Sequence, residues 1–68
     1  MKKYAEEIRT LQKSGEFRFT GLTREESRTA ATALARAAMQ EDRKYGIESK
    51  FGIARDAFGY YFAAQTND

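Results

Sequence analysis

The sequence predicts an α+β domain in which a long helix covers a small antiparallel sheet. Three observations favour this fold class. An alanine-rich segment lies between a helix-start and a helix-stop signal, and FRF alternates apolar and basic residues. The segment FGIARDAFGYYFAAQ holds five of the nine aromatic residues, around a turn signal. Because alanine leaves volume that bulky rings can fill, we expect the aromatic segments to pack against the alanine-rich helix.

The first element is a short amphipathic helix over residues 2 to 13. Its apolar stripe is formed by Tyr4, Ile8 and Leu11, at helical spacing, and Gly15 follows its end. Two acidic residues in the first half and a lysine near the end match the helix dipole. A stripe of only three apolar residues predicts a helix that docks onto a larger element.

The next segment, EFRFTG, has the alternation of a short, half-buried strand. Phe17 and Phe19 alternate with Arg18 and Thr20, and a glycine closes the run. The alternative is an extended linker whose two phenylalanines fill the core.

The long helix is predicted from about residue 24 to residue 45. Thr23 and Glu26 form a capping-box pattern at its start, and Gly46 follows its end. One side of this helix gathers mostly small residues and is expected to face the core: Ser27, Ala30, Ala31, Leu34, Ala37, Ala38 and Tyr45.

The C-terminal aromatic segment fits a β-hairpin better than a helix. DAFG has the Asp and Gly that a type I turn prefers, and Gly59 suits a left-handed bulge position, whereas two interior glycines would cost a helix about 1 kcal/mol each. Strand alternation then sends one set of side chains to the core, Phe51, Ile53, Tyr60 and Phe62, and another outward, Lys50, Gly52, Tyr61 and Ala63. The alternative is an all-α three-helix bundle with much the same core residues.

Length and composition exclude several classes of protein. The 68 residues are expected to form a single compact domain, 1–68. Without cysteine or histidine the chain lacks thiolate and imidazole groups, and its carboxylate pairs are adjacent in sequence and diverge on a helix. We therefore expect no enzyme, no metal site and no cofactor. No apolar run follows the basic N-terminus, so we expect a cytoplasmic protein without a membrane segment.

Three surfaces are candidates for binding. One is the basic side of the long helix, which also carries an isolated methionine: Arg24, Arg28, Arg36, Met39, Arg43 and Lys44. Another is the far face of the sheet, unless the first helix covers it: Arg18, Thr20, Lys50, Tyr61 and Gln65. The third is a free strand edge, either residues 17 to 20 or the last strand.

These features predict a small non-enzymatic protein that binds a macromolecule. A protein partner is favoured, with the chain acting as an inhibitor, adaptor or accessory factor of the kind that phages and mobile elements often encode. A net charge of +2 is too small to indicate nucleic acid by itself. A DNA- or RNA-binding regulator that uses the basic helix side or the open sheet is the alternative. A homodimer formed through a strand edge is also compatible with the sequence.

Overall fold

The protein has two helices on one face of a three-stranded antiparallel sheet. The computed structural model describes residues 4–66. The elements are α1 (Ala5–Ser14), β1 (Glu16–Arg18), α2 (Arg24–Lys44), β2 (Phe51–Arg55) and β3 (Tyr61–Gln65). The α+β prediction is confirmed, and the C-terminal segment is a hairpin and not the third helix of a bundle.

Both helix boundaries follow from local chemistry. In the capping box of α2, Thr23 Oγ1 accepts from Glu26 N at 3.1 Å and Glu26 Oε1 accepts from Thr23 N at 2.9 Å. Helix α1 ends at Gly15, whose φ of 84° lets its N–H bond to Leu11 O. The predicted start of α1 at residue 2 lies outside the described residues, and the helix as described begins at Ala5.

The strand order is β1-β3-β2, so the last strand of the chain lies in the centre of the sheet. Ala63 pairs with Phe17 on one side and with Ile53 on the other. The prediction that the last strand offers a free edge is therefore wrong. The two edges are β1 and β2, because each of them pairs only with β3.

The hairpin turn decides which side chains face the helices. Gly59 N donates to Asp56 O at 3.1 Å and Asp56 N donates to Tyr60 O at 2.9 Å, while Gly59 has a φ of 91°. This is a type I turn with a glycine bulge, as predicted, and it leaves a three-residue loop. The bulge places Arg55 opposite Tyr61 instead of Tyr60, which moves every later residue of β3 to the other face.

The predicted facing of β3 is consequently wrong. Ala63 is buried and Tyr61 packs against the core, whereas Phe62 lies on the far face and Tyr60 stays partly exposed. Gln65, which pairs with Phe51, also belongs to the helix side of the sheet. The apolar pattern within β3 does not reveal the shift, since aromatic residues occupy all three positions from 60 to 62.

Residues from both helices and the sheet share one core. Its most deeply buried members are Leu11, Ala31, Leu34, Ala38 and Ala63. Bulky Leu11 from α1 and the rings of β1 and β2 fill the space beside the alanines of α2, which is the complementarity that the composition predicts.

The buried side of α2 differs from the prediction at two points. Tyr45 is 73% exposed, because α2 ends at Lys44 and the backbone of Tyr45 has left the helical conformation. Ala35 and Asp42 are buried although they were not predicted to be, whereas Ala30 and Ala37 are only half-buried. Asp42 is the last buried residue of the helix, at the position where the apolar stripe runs out.

Helix α1 packs beside α2 and does not cover the opposite face of the sheet. Ile8 and Leu11 belong to the common core. The far face, as far as residues 4–66 describe it, is therefore uncovered, and it carries mostly small residues around one ring: Gly52, Ala54, Phe62 and Ala64.

Candidate functional site

A cluster of arginines and aromatic rings lies where the hairpin meets the start of α2. Tyr60, Tyr61 and Phe62 are consecutive, and each ring has a guanidinium group close to it. Arg24 lies 5.1 Å from the Tyr60 ring centroid, Arg28 5.7 Å from that of Tyr61, and Arg18 4.0 Å from that of Phe62. All three distances are within the range of cation–π attraction.

Asp56 fixes the shape of the hairpin loop. Its Oδ1 accepts from Phe58 N at 2.9 Å and from Tyr60 N at 3.0 Å. Its Oδ2 lies 3.5 Å from Arg18 Nη1, so the loop is also connected to β1. An aspartate at the first turn position commonly makes such bonds to the backbone, and here two amides of the loop share the carboxylate.

Arg24 holds the same loop from the other side. Its Nε donates to Phe58 O at 2.8 Å, which joins the first residue of α2 to the middle of the loop. A Cβ on Gly59 would lie 2.9 Å from that Nε, so this approach requires glycine as well as a positive φ. The Phe58 backbone is thus held at its N–H and at its C=O, yet 75% of the residue is exposed.

Ser27 connects the helix to the first residue of β3. Its side chain is buried, donates to Arg24 O at 2.6 Å and accepts from Tyr61 N at 3.0 Å. Strand β1 ends at Arg18, opposite Phe62, so it provides no partner for the Tyr61 amide, and the serine takes that place. The sequence placed Ser27 on the small side of α2 but gave no indication of this bond.

The structure divides the predicted basic side of α2. Arg24 and Arg28 belong to the arginine–aromatic cluster, and Arg36 is exposed further along the helix, lining the same shallow groove as Arg28. Arg43 and Lys44 lie in the last turn, at the other end of α2. Lys44 Nζ lies 4.0 Å from a carboxylate oxygen of Glu41, and this partly exposed ion pair contributes little to stability.

Two further predicted residues have different surroundings from those expected. Met39 is half-buried against the core and does not stand alone among polar residues. Tyr61 is half-buried on the helix side of the sheet, under Arg28. Arg18 and Lys50 are exposed, but Lys50 precedes β2 at the end of the sheet away from the hairpin loop, opposite Thr66. The predicted open-face site is therefore not assembled.

A second groove lies at the opposite end of α2 and has a different character. Tyr45 and Ile47 are exposed there, next to Glu41 and Glu48. The buried carboxylate of Asp42 accepts from Gln12 Nε2 at 2.6 Å. Nowhere in residues 4–66 do three Asp or Glu side chains group closely enough to hold a metal ion.

Comparisons with family models, with curated proteins and with solved structures gave no match to this chain. Within the part of the chain that the structure describes, neither helix combines the length and the apolar character needed to cross a membrane.

Proposed function

We propose that this chain is a small non-enzymatic protein that binds another protein through the end of its hairpin. The contact surface consists of an exposed ring, a partly exposed ring, the arginine that contacts both of these residues, and two arginines that lie over the neighbouring rings on the two faces of the sheet: Phe58, Tyr60, Arg24, Arg28 and Arg18. We refer to these five residues as the hairpin tip. The observation that carries the proposal is the exposure of Phe58 on a loop whose backbone is held by Asp56 and Arg24.

An exposed ring on a loop whose backbone is held by hydrogen bonds suits protein recognition for an energetic reason. Association loses free energy when loops and side chains become ordered, and a loop already fixed in the free protein loses little. Aromatic residues and arginine are also the residues on which binding energy in protein interfaces concentrates. The matching partner surface is an apolar pocket with carboxylates at its rim, which the arginines would meet. Such a contact serves an inhibitor, an adaptor or an accessory factor equally well.

The proposal places this contact in the cytoplasm, since a cysteine-free chain gains nothing from an oxidising compartment.

Affinity capture with two matched variants tests the proposal. Phe58→Ala removes the proposed anchor, and Tyr45→Ala removes a ring of similar exposure at the other end of the molecule. Bait proteins are incubated with nuclease-treated lysate of the source cell, and captured proteins are identified by mass spectrometry. Affinities for the purified partner are then measured by calorimetry. We expect Phe58→Ala to weaken binding at least about tenfold and Tyr45→Ala to leave it unchanged. Equal binding by wild type and Phe58→Ala would contradict the proposal.

Single-stranded nucleic acid is a second candidate, favoured by the guanidinium groups beside three aromatic rings and by Arg36 in line with Arg28. Such surfaces follow a phosphate backbone and stack bases. Fluorescence anisotropy with labelled oligothymidine and oligouridine tests it at low and moderate salt. The candidate predicts affinity that falls steeply with salt and is lost in Arg28→Glu/Arg36→Glu, but kept in the control Arg43→Glu/Lys44→Glu. Absence of binding to both oligonucleotides at low salt would rule out the nucleic-acid candidate.

A further inference from the structure

The backbone of edge strand β2 has a row of hydrogen-bonding groups directed away from the sheet. Thr66 N donates to Lys50 O at 2.8 Å and Asp56 N donates to Tyr60 O at 2.9 Å. Because bonding direction alternates along an antiparallel strand, the even-numbered residues of β2 bond to β3. The N–H and C=O groups of Phe51, Ile53 and Arg55 therefore point outward, and no bond to them occurs within residues 4–66.

The two edges of the sheet differ in how well they are protected. Strand β1 has three residues, and two of them, Glu16 and Arg18, are charged. Strand β2 has five residues, contains no proline and is uncharged over its first four. Short length and charge are the usual devices that prevent edge pairing, so β2 is the edge that is open to another strand. Its central residue, Ile53, is 37% exposed on the face toward the helices.

We propose that β2 pairs antiparallel with β2 of a second copy of this chain, with Ile53 on the two-fold axis. This register uses the outward groups of Phe51, Ile53 and Arg55 in both copies and forms about six inter-chain hydrogen bonds. It joins two three-stranded sheets into one continuous sheet and covers Ile53 in both copies.

The side chains around this axis are self-complementary, which favours a second copy over an unrelated strand. Centred on Ile53, the register places Lys50 opposite Asp56, a cation opposite an anion, at both ends of the pairing. Between them Gly52 lies opposite Ala54, so small residues meet on the far face. A shift of two residues in either direction would instead place Lys50 opposite Ala54 or Phe58. Two-fold symmetry repeats each favourable pair.

This inference is independent of the proposed partner, because it uses the edge of β2 and not the hairpin tip. A single backbone change tests it. Chemical synthesis of the 68-residue chain allows N-methylation of Ile53, which removes only an outward donor and adds a methyl group at the edge. N-methylation of Glu16, whose N–H points outward from β1, is the matched control.

Sedimentation equilibrium should show a concentration-dependent dimer for the wild-type chain. N-methyl-Ile53 should weaken it at least about tenfold, since the two bonds on the axis are lost together, and N-methyl-Glu16 should leave it unchanged. A chain that stays monomeric up to about 1 mM, or a dimer that is insensitive to N-methyl-Ile53, would overturn the proposal. So would a monomer that captures strands of unrelated proteins along β2.

Cysteine variants test the register and do not depend on whether the methylated chain folds. The sequence has no cysteine, so a single introduced thiol crosslinks only to its counterpart in another molecule. Ile53→Cys places two thiols opposite each other on the axis, within disulfide range, whereas Ala54→Cys places each thiol opposite Gly52. Rapid disulfide dimerisation of Ile53→Cys alone supports the register. Faster dimerisation of Ala54→Cys, or equally slow reaction of both, contradicts it.

Discussion

The two ends of α2 each present an exposed aromatic residue followed by a glycine, but they differ in how that residue is held. Phe58 and Tyr45 are 75% and 73% exposed, and Gly59 and Gly46 have φ angles of 91° and 75°. At the hairpin end, Asp56 and Arg24 fix the backbone around the ring, and the Arg24 guanidinium also lies 5.1 Å from the Tyr60 ring centroid. At the other end the glycine lies in open space and glutamates lie nearby.

Equal exposure of two rings therefore does not imply that their backbones are held in the same way. Both rings have similar accessibility, and both follow from the same local sequence pattern, an aromatic residue before a left-handed glycine. What separates them is the order imposed by neighbours distant in sequence, since Arg24 and Phe58 are 34 positions apart. The following predictions test whether the hairpin end depends on its neighbours more strongly than the other end does.

The largest expected effect on stability is that of replacing Gly59, and Gly46 provides the comparison. Gly59→Ala should lower the free energy of unfolding by about 2 to 3 kcal/mol, because a left-handed alanine is strained and its Cβ would displace Arg24 from Phe58 O. Gly46→Ala should cost only the strain, about 1 kcal/mol. Urea denaturation of both variants measures the difference. Equal losses would show that Arg24 contributes nothing to the loop.

Asp56 is the next test of the hairpin end. Asp56→Ala removes the acceptor of two loop amides and should cost about 2 kcal/mol, since bonds to a charged group are stronger than neutral ones. Asp56→Asn keeps an acceptor oxygen and should cost less than about 1 kcal/mol. Chemical denaturation gives both values. A loss in Asp56→Asn as large as that in Asp56→Ala would assign the effect to the charge and not to the two amide bonds.

Ser27 should contribute somewhat less to the free energy of unfolding than Asp56 does. Ser27→Ala leaves the Tyr61 amide without an acceptor in a region that excludes water, and we expect a loss of about 1.5 kcal/mol. Thr29→Ala, on the exposed side of the same helix, should change stability by less than about 0.5 kcal/mol. Amide hydrogen exchange measures the effect locally. In Ser27→Ala we expect faster exchange of the Tyr61 amide and unchanged exchange in β2. Uniform acceleration across the sheet would contradict the local role.

The smallest effects on stability are expected at the two exposed rings. Phe58→Ala and Tyr45→Ala should each change the free energy of unfolding by less than about 0.5 kcal/mol, because neither ring is buried. Thermal unfolding by circular dichroism checks both. If the two variants are equally stable but only Phe58→Ala weakens partner binding, the hairpin end and not the other end of α2 carries the binding function. A large loss in Phe58→Ala would mean that the ring supports the fold.

Most of the local structure was predictable because its causes are local. The capping box at Thr23 and Glu26 involves residues three positions apart, and the turn from Asp56 to Gly59 is set by four consecutive residues. The alternation of Phe17 and Phe19 likewise predicts β1, and both rings are half-buried against the core, but the strand ends at Arg18 and Phe19 follows it. In each case the local conformation that the sequence favours is kept in the folded protein, because no contact with distant residues opposes it.

The assembly of the candidate site was only partly predictable. The sequence predicts Arg18, Arg24 and Arg28 as basic residues of two separate surfaces. In the fold, each lies over one of the three consecutive rings that follow the hairpin loop, with Arg18 on the far face of the sheet and Arg28 on the helix side. Arg43 and Lys44 remain at the far end of α2, and Met39 packs against the core. Phe58 was assigned no binding role, because nothing in its neighbours in sequence indicates that Arg24 would fix its carbonyl.

The sequence by itself determined the α+β class, the limits of the long helix and the place where the chain folds back, because capping, turn and alternation signals act over a few residues. Only the tertiary structure decided which face of β3 meets the helices, since a single bulged glycine reverses that choice and three successive aromatic residues suit either outcome. The tertiary structure also decided that the last strand is central. Strand order depends on which strands share a core, and the pattern within one strand does not contain that information.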